Sequence, residues 1–237
     1  MPIAGKGMLL TSMDIDAADE VDFNRWYDRE HLEERVAIEG FIEARRYVAH
    51  QGSPKYLCLY STTTIDVFDS PAYKARLANP TEWSQKTMAR FQNMIRSVAR
   101  ITISRGNGRG AALGIIRLRL PTHPSSAGGG GSGRGRLESE ETLRSFLRDA
   151  LDPHKYDGII SMHLIENDPL LSAPTAGIPS ASAGESDWFV LIDASDVNAA
   201  KAIVANFADG DLPIRPAVIS SGTYRLMWDL SKSDIPA

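Results

Sequence analysis

The chain has 237 residues, 43% of them hydrophobic and 24% charged, with a net charge of −4 and a pI near 5.8. That length and usage suit an ordinary globular protein with a core to bury. The acidic balance lacks the basic patch that phosphate neutralisation needs, which speaks against a nucleic-acid partner; no apolar run is long enough to span a bilayer.

In chain order, residues 8–13 predict a short strand and residues 19–35 a helix stopped by Gly40. Residues 41–50 and 55–63 predict two strands joined by the turn Gly52-Ser53-Pro54. Helical patterning returns over 70–78 and breaks at Asn79-Pro80. Thr81 then caps a second helical run, in which Met88, Phe91, Ile95 and Val98 form a stripe at helical spacing. Residues 101–104 close the first half as a strand. The second half predicts a strand over 112–120, a helix over 138–151, strands over 156–166 and 188–192, a helix capped by Ser195, and a terminal strand over 217–228. Both halves read β-α-β-β-α-β, the split βαβ order.

The expected organisation is therefore α+β: two ferredoxin-like repeats with antiparallel sheets packed face to face. Residues 1–105 form the first half, 106–111 a linker, 112–230 a diverged second half, and 231–237 a tail. Two small-residue loops, 121–136 and 168–187, interrupt the second half, and the glycine-serine stretch 125–133 is expected to be mobile. Tyr56, Cys58 and Tyr60 alternate with Leu57 and Leu59, so this strand is apolar on both faces and belongs in a covered sheet. The halves must face each other or pair with another chain, which leaves a homodimer open. The glycines of 105–110 precede a strand rather than a helix, so they do not make a phosphate loop.

The segment Phe23-Asn24-Arg25-Trp26-Tyr27-Asp28-Arg29-Glu30-His31-Leu32, then Gly40-Phe41 and Ala44-Arg45-Arg46-Tyr47, resembles the dimeric α/β-barrel superfamily, closest in flavour to EthD-like proteins. The resemblance covers about residues 8–104. The second half has no Trp-Tyr-x-x-x-His equivalent. The resemblance implies a cavity between sheet and helices or inside the barrel. Its members include cofactor-free monooxygenases, isomerases, decarboxylases and haem enzymes, so the fold alone selects no reaction.

His31 is the main candidate for chemistry. It shares a helix face with Phe23 and Tyr27, with Trp26 beside them and Glu30 and Glu34 on the same side. A carboxylate-tuned histidine on an apolar face exchanges protons near neutrality; a core histidine bonded to the backbone is the alternative. Arg45 and Tyr47 share one strand face and Arg46 takes the other. An arginine in the covered region calls for an anion, either a ligand carboxylate or a neighbouring glutamate. Arg117, Arg119 and Arg225 raise the same question in the second half. Trp83 is a candidate wall for a flat ligand. The expected pocket unites His31 and Tyr27 with Trp83 and one of the two adjacent arginines.

The sequence offers no metal or cofactor motif: no two histidines lie within five residues, and nothing marks a haem, flavin or nicotinamide site. Cys58, the single cysteine, reads as a buried structural thiol in a reducing cytoplasmic setting. Met1 to Gly7 lacks a signal-peptide pattern, and its glycines argue against a catalytic Pro2 amine. Two functions remain: a cofactor-free enzyme working through His31 on a small, partly apolar, anionic metabolite, or a non-catalytic binding or assembly protein.

Overall fold

The structure, a computed structural model, describes residues 3–120, 132–173, 187–208 and 216–235, with backbone alone for 132–136 and 208. Eight antiparallel strands close a barrel: β1 (Gly7–Asp14), β2 (Phe41–Gln51), β3 (Tyr56–Thr62), β4 (Gln92–Gly106), β5 (Ala112–Arg119), β6 (Ile159–Asn167), β7 (Asp187–Ala194) and β8 (Ala217–Ser231). Their order around the barrel is β1-β3-β2-β8-β5-β7-β6-β4. Strands β1–β4 occupy one arc in the order β4-β1-β3-β2, and β5–β8 the other in the order β8-β5-β7-β6.

The two arcs do not lie face to face as separate layers. They join at their edges, β2 to β8 with Arg45 opposite Asp229, and β4 to β6 with Ser104 opposite His163. Closure satisfies the backbone groups that open edges would leave unpaired. It also explains why β1 and β3 are buried almost throughout. Met8, Leu10, Leu57 and Leu59 fill the lumen, while Leu9, Met13, Tyr56, Cys58 and Tyr60 pack beneath the helices of the first arc.

Those helices are α1 (Glu20–Trp26), α2 (Leu32–Val36), α3 (Pro71–Ala78) and α4 (Glu82–Met88); α5 (Ser132–Ala150) and α6 (Val197–Ala208) cover the second arc. Between α1 and α2 the chain makes one π-helical turn, Tyr27–His31, in which the Leu32 N–H reaches back five residues to the Tyr27 carbonyl. Ser70 caps α3, and Thr81 caps α4 as the sequence predicts.

Several expected boundaries move. The helix from Thr81 ends at Met88 rather than running to Val98, and β4 starts at Gln92. Asn93 takes a positive φ of 50° at the change of direction. Beyond it β-branched Ile95, Val98, Ile101 and Ile103 favour a strand, so Ile95 faces the lumen while Met94 and Val98 face the helices. The cap of α6 is Asp196, whose Oδ1 accepts from the Asn198 and Ala199 N–H groups, rather than Ser195. Helix α5 begins at Ser132, ahead of the expected residue 138, and β6 begins at Ile159 rather than 156. The proposed mobile stretch 125–133 lies mostly outside the described residues, as does 174–186 of the other long loop.

Candidate functional site

The π turn sets the position of His31. One extra residue per turn lays His31 over Trp26, five positions back, with ring centroids 4.0 Å apart and planes tilted by 24°. Tyr27 meets the imidazole edge-on at 5.1 Å. Trp26 is fixed from behind: its indole N–H donates to Glu30 Oε1 at 3.2 Å and to Ser84 Oγ at 3.1 Å. Thr81 Oγ1 donates to the same Glu30 oxygen at 2.6 Å, which ties the turn to α4. π turns of this kind recur at functional sites.

Below His31 lies a cavity of about 40 Å³ between the first arc and its helices. Thr11 from β1, Tyr60 from β3, Arg96 from β4 and Arg35 from α2 bring polar groups to it; Leu9, Met13, Tyr73, Phe91 and Met94 supply apolar wall. Among the described residues, four polar atoms here are buried without a hydrogen-bond partner of good geometry: Thr11 Oγ1, His31 Nδ1, Arg35 Nη1 and Tyr60 OH, the last with Tyr27 and Cys58 beside it. Buried polar atoms are normally satisfied, so four such atoms at one void make it the candidate site. Among the described residues, no aspartate or glutamate lines the cavity.

Burial, and then the Arg35 and Arg46 guanidiniums, push His31 well below its ordinary value, so the imidazole is neutral at pH 7. Burial pushes the Tyr60 phenol up, which keeps its proton available to donate. The expected carboxylate partners of His31 lie elsewhere: Glu30 serves Trp26, Thr81 and Ser84, and Glu34 pairs with Arg76 at 3.2 Å.

The other sequence candidates separate into three places. Arg46 points to the helices, stacks 4.2 Å above the Tyr27 ring, and donates to Asp28 Oδ1 at 3.0 Å and Asn24 Oδ1 at 2.6 Å. It braces Tyr27 without lining the cavity. Arg45 and Tyr47 point into the lumen, where Arg45 Nη1 donates to Asp193 Oδ1 at 3.1 Å and Tyr47 OH at 3.3 Å. Trp83 lies off the cavity, its indole donating to Asp22 at 3.2 Å. The pocket expected around His31 thus keeps Tyr27, but its arginines are Arg35 and Arg96. Arg117 and Arg119 pair with Asp187, and Arg225 lies 3.2 Å from His50 Nδ1. Cys58 is fully buried and burial pushes its thiol up.

Arg35 stands four residues after His31, a helical neighbour by spacing, and that periodicity was available in the sequence. Arg96 was hidden by the helical reading of residues 81–98.

The haem chemistry found within the resembled superfamily does not fit these residues. The His31 cavity, about 40 Å³, has no room for a haem macrocycle. Two wider openings, of about 170 and 550 Å³, are lined without histidine. His163 is sealed in the lumen, with Ser104 at 3.0 Å on one nitrogen and Ser161 at 3.0 Å on the other. Among the described residues no group of three potential ligands is placed to hold a metal ion, and no helix is long and apolar enough to cross a membrane.

No family profile matches the chain, and no curated protein matches it by sequence. Solved structures do match in shape along almost the whole length. An anthrone oxidase-like protein aligns with a TM-score of 0.54 at 11% identity, over 99% of this chain and 97% of the other. A protein provisionally named a chlorite dismutase aligns at 0.53 with 13% identity, over 98% and 97%. One provisionally named a monooxygenase, from Lactobacillus acidophilus, aligns at 0.51 with 7% identity, over 97% of each chain. The chain therefore shares with these structures an α+β fold, here with an eight-stranded antiparallel barrel closed within one polypeptide.

Proposed function

We propose that this protein binds a small, partly apolar, anionic metabolite in the cavity under the π turn, and that His31 exchanges a proton with it without a cofactor. The observation carrying this reading is the convergence on a single void of four buried polar atoms, His31 Nδ1 included, that lack a hydrogen-bond partner of good geometry among the described residues. A neutral imidazole is ready to accept a proton. The Tyr60 phenol and Arg35 would donate to the oxygen on which charge develops. The names of the fold neighbours, an oxidase-like protein and a monooxygenase, agree with small-molecule chemistry in catabolism or secondary metabolism.

The matching strand orders of the two arcs support a tandem ferredoxin-like repeat, residues 1–105 and 112–230, with the EthD-like site kept in the first half only. Trp26 and Tyr27 wall the imidazole; Arg46 positions Tyr27; Arg45, Tyr47 and Trp83 would act at a distance from the ligand. The lone buried cysteine suits a cytoplasmic protein. One observation favours a non-catalytic binding protein instead: burial, and then the two guanidiniums near His31, make it a weak base.

A metabolite screen by thermal shift, followed by product analysis, separates the two. With a hit in hand, His31→Asn should fold and bind but lose turnover by about a hundredfold or more. Full turnover in that variant removes the proton-transfer reading; binding with no turnover in the native protein selects the non-catalytic one.

A further inference from the structure

Two guanidiniums line the His31 cavity. Arg35 is buried, and among the described residues it has no ion-pair partner. Arg96 is buried too, and its hydrogen-bond partners among the described residues are neutral: the Leu171 carbonyl at 2.9 Å and the Tyr73 hydroxyl at 3.3 Å. Every other buried arginine with a described partner in this fold has a carboxylate: Arg45 has Asp193, Arg46 has Asp28 and Arg117 has Asp187. Burying a cation without a counter-charge is strongly unfavourable. Glu34, whose charge reaches Arg35, is paired with Arg76, and on its cavity side Arg35 meets no carboxylate among the described residues.

The remaining lining defines the anion's shape. Tyr60 OH and Thr11 Oγ1 are hydroxyls able to donate, and among the described residues no carboxylate lines the cavity to compete. About 40 Å³ is the room of roughly three waters, since each needs on the order of 10–15 Å³ by this measure. That suits a planar three-atom head and excludes a tetrahedral phosphate with an organic tail. Only Leu77 on α3 and Met88 on α4 are half-exposed among the lining residues, so the mouth lies between those helices and is apolar.

Resting on the reading of this cavity as the ligand site, we infer that the ligand is a carboxylic acid whose carboxylate is taken by Arg35, with Arg96, Tyr60 and Thr11 around it and its apolar tail leaving between Leu77 and Met88. A planar guanidinium fork matches a carboxylate with two parallel hydrogen bonds, which an ammonium cannot reproduce. Neutralising Arg35 also removes one of the charges that disfavour protonated His31. Acid binding and proton uptake by His31 are thereby coupled, and the coupling is reciprocal.

The test uses the full chain with acetate, butanoate and benzoate against acetamide, butanamide and benzamide, read by thermal shift and calorimetry. Inorganic phosphate is the control ion. The acids should raise the melting temperature and the amides should not. Saturating acid should move the His31 ring-proton titration upward in NMR. Arg35→Met should weaken acid binding about thirtyfold or more. Arg35→Lys keeps the charge and loses the fork, so it should bind about tenfold more weakly than native. The Lys variant and the native His31 titration keep the question answerable if Arg35→Met does not fold. Amides binding as well as acids, phosphate matching the acids, or native affinity in Arg35→Met would each overturn the assignment. Tight acid binding with native turnover in His31→Asn would leave the carboxylate assignment standing and remove only the proton-transfer step. A response to neither acids nor amides would remove both.

Discussion

His31 is neutral in the folded protein for reasons that lie in its contacts. Trp26 covers one ring face, Tyr27 and Tyr60 meet its edges, and the nearest charges are the cations Arg35 and Arg46. A depressed folded value has a definite consequence for stability. Above pH 6.5, the ordinary value, neither the folded nor the unfolded chain protonates this residue, and nothing is lost. As pH falls below 6.5 the unfolded chain takes up a proton that the folded chain refuses, so unfolding becomes progressively easier until the folded value is reached. His163 behaves in the same direction, because burial also pushes it down, although Asp193 opposes the shift. The native protein should therefore lose urea stability steadily from pH 6.5 downward. His31→Asn should flatten that slope while leaving the His163 share. An unchanged slope in the variant would mean that His31 is already solvated in the folded state.

At the scale of elements, the π turn is the device that builds the site. A regular α-helix would set His31 above Tyr27, four residues back, which is the face the sequence predicts. The turn instead carries it onto Trp26 and lets Arg35 follow it to the cavity. Periodicity read the helix over 19–35 correctly and could not see the extra residue, because an i→i+5 bond leaves no mark on a hydrophobic pattern that short. The same limit explains β4. Met88, Phe91, Ile95 and Val98 fit helical spacing by coincidence, and the β-branched enrichment around them was the stronger signal. Misplacing β4 hid Arg96, whereas choosing glutamates as the partners of His31 hid Arg35. Arg29 is exposed within the π turn, so deleting it should restore an ordinary helix without opening the core. The deletion variant should keep its far-ultraviolet circular dichroism and lose ligand-induced thermal shift. Retained binding would show that the register of the turn does not set the site.

For the whole molecule, barrel closure within one chain depends on contacts that cross between the two arcs. Arg45 on β2 reaches Asp193 on β7; His163 on β6 meets Ser104 on β4; Arg109, after β4, pairs with Glu43 on β2 and with Asp229 on β8 at 2.9 Å. Lys232, just past β8, donates to the carbonyls of Val36, Ala37 and Ile38 where α2 ends. Residues 1–110 alone would keep the site's helices but lose Asp193, leaving Arg45 with Glu43 at 3.7 Å as its nearest carboxylate. That fragment would also expose the lumen residues Met8, Leu10, Leu57 and Leu59, together with β2 and β4 as open edges. A homodimer of it would close the edges but bring two Arg45 side chains into one lumen without an Asp193 between them. Complementation by residues 111–237 restores both the edges and the ion pair. The first fragment alone should therefore run as aggregates or a weak dimer that binds a hydrophobic dye. Mixed with the second, it should form a one-to-one complex of native melting behaviour, measured by light scattering and calorimetry. Asp193→Asn in the second fragment should weaken that complex, since it leaves a buried guanidinium with Glu43 as its one remaining carboxylate among the described residues. A soluble, monodisperse monomer of residues 1–110 that excludes dye would show that the first arc covers its lumen face without the second.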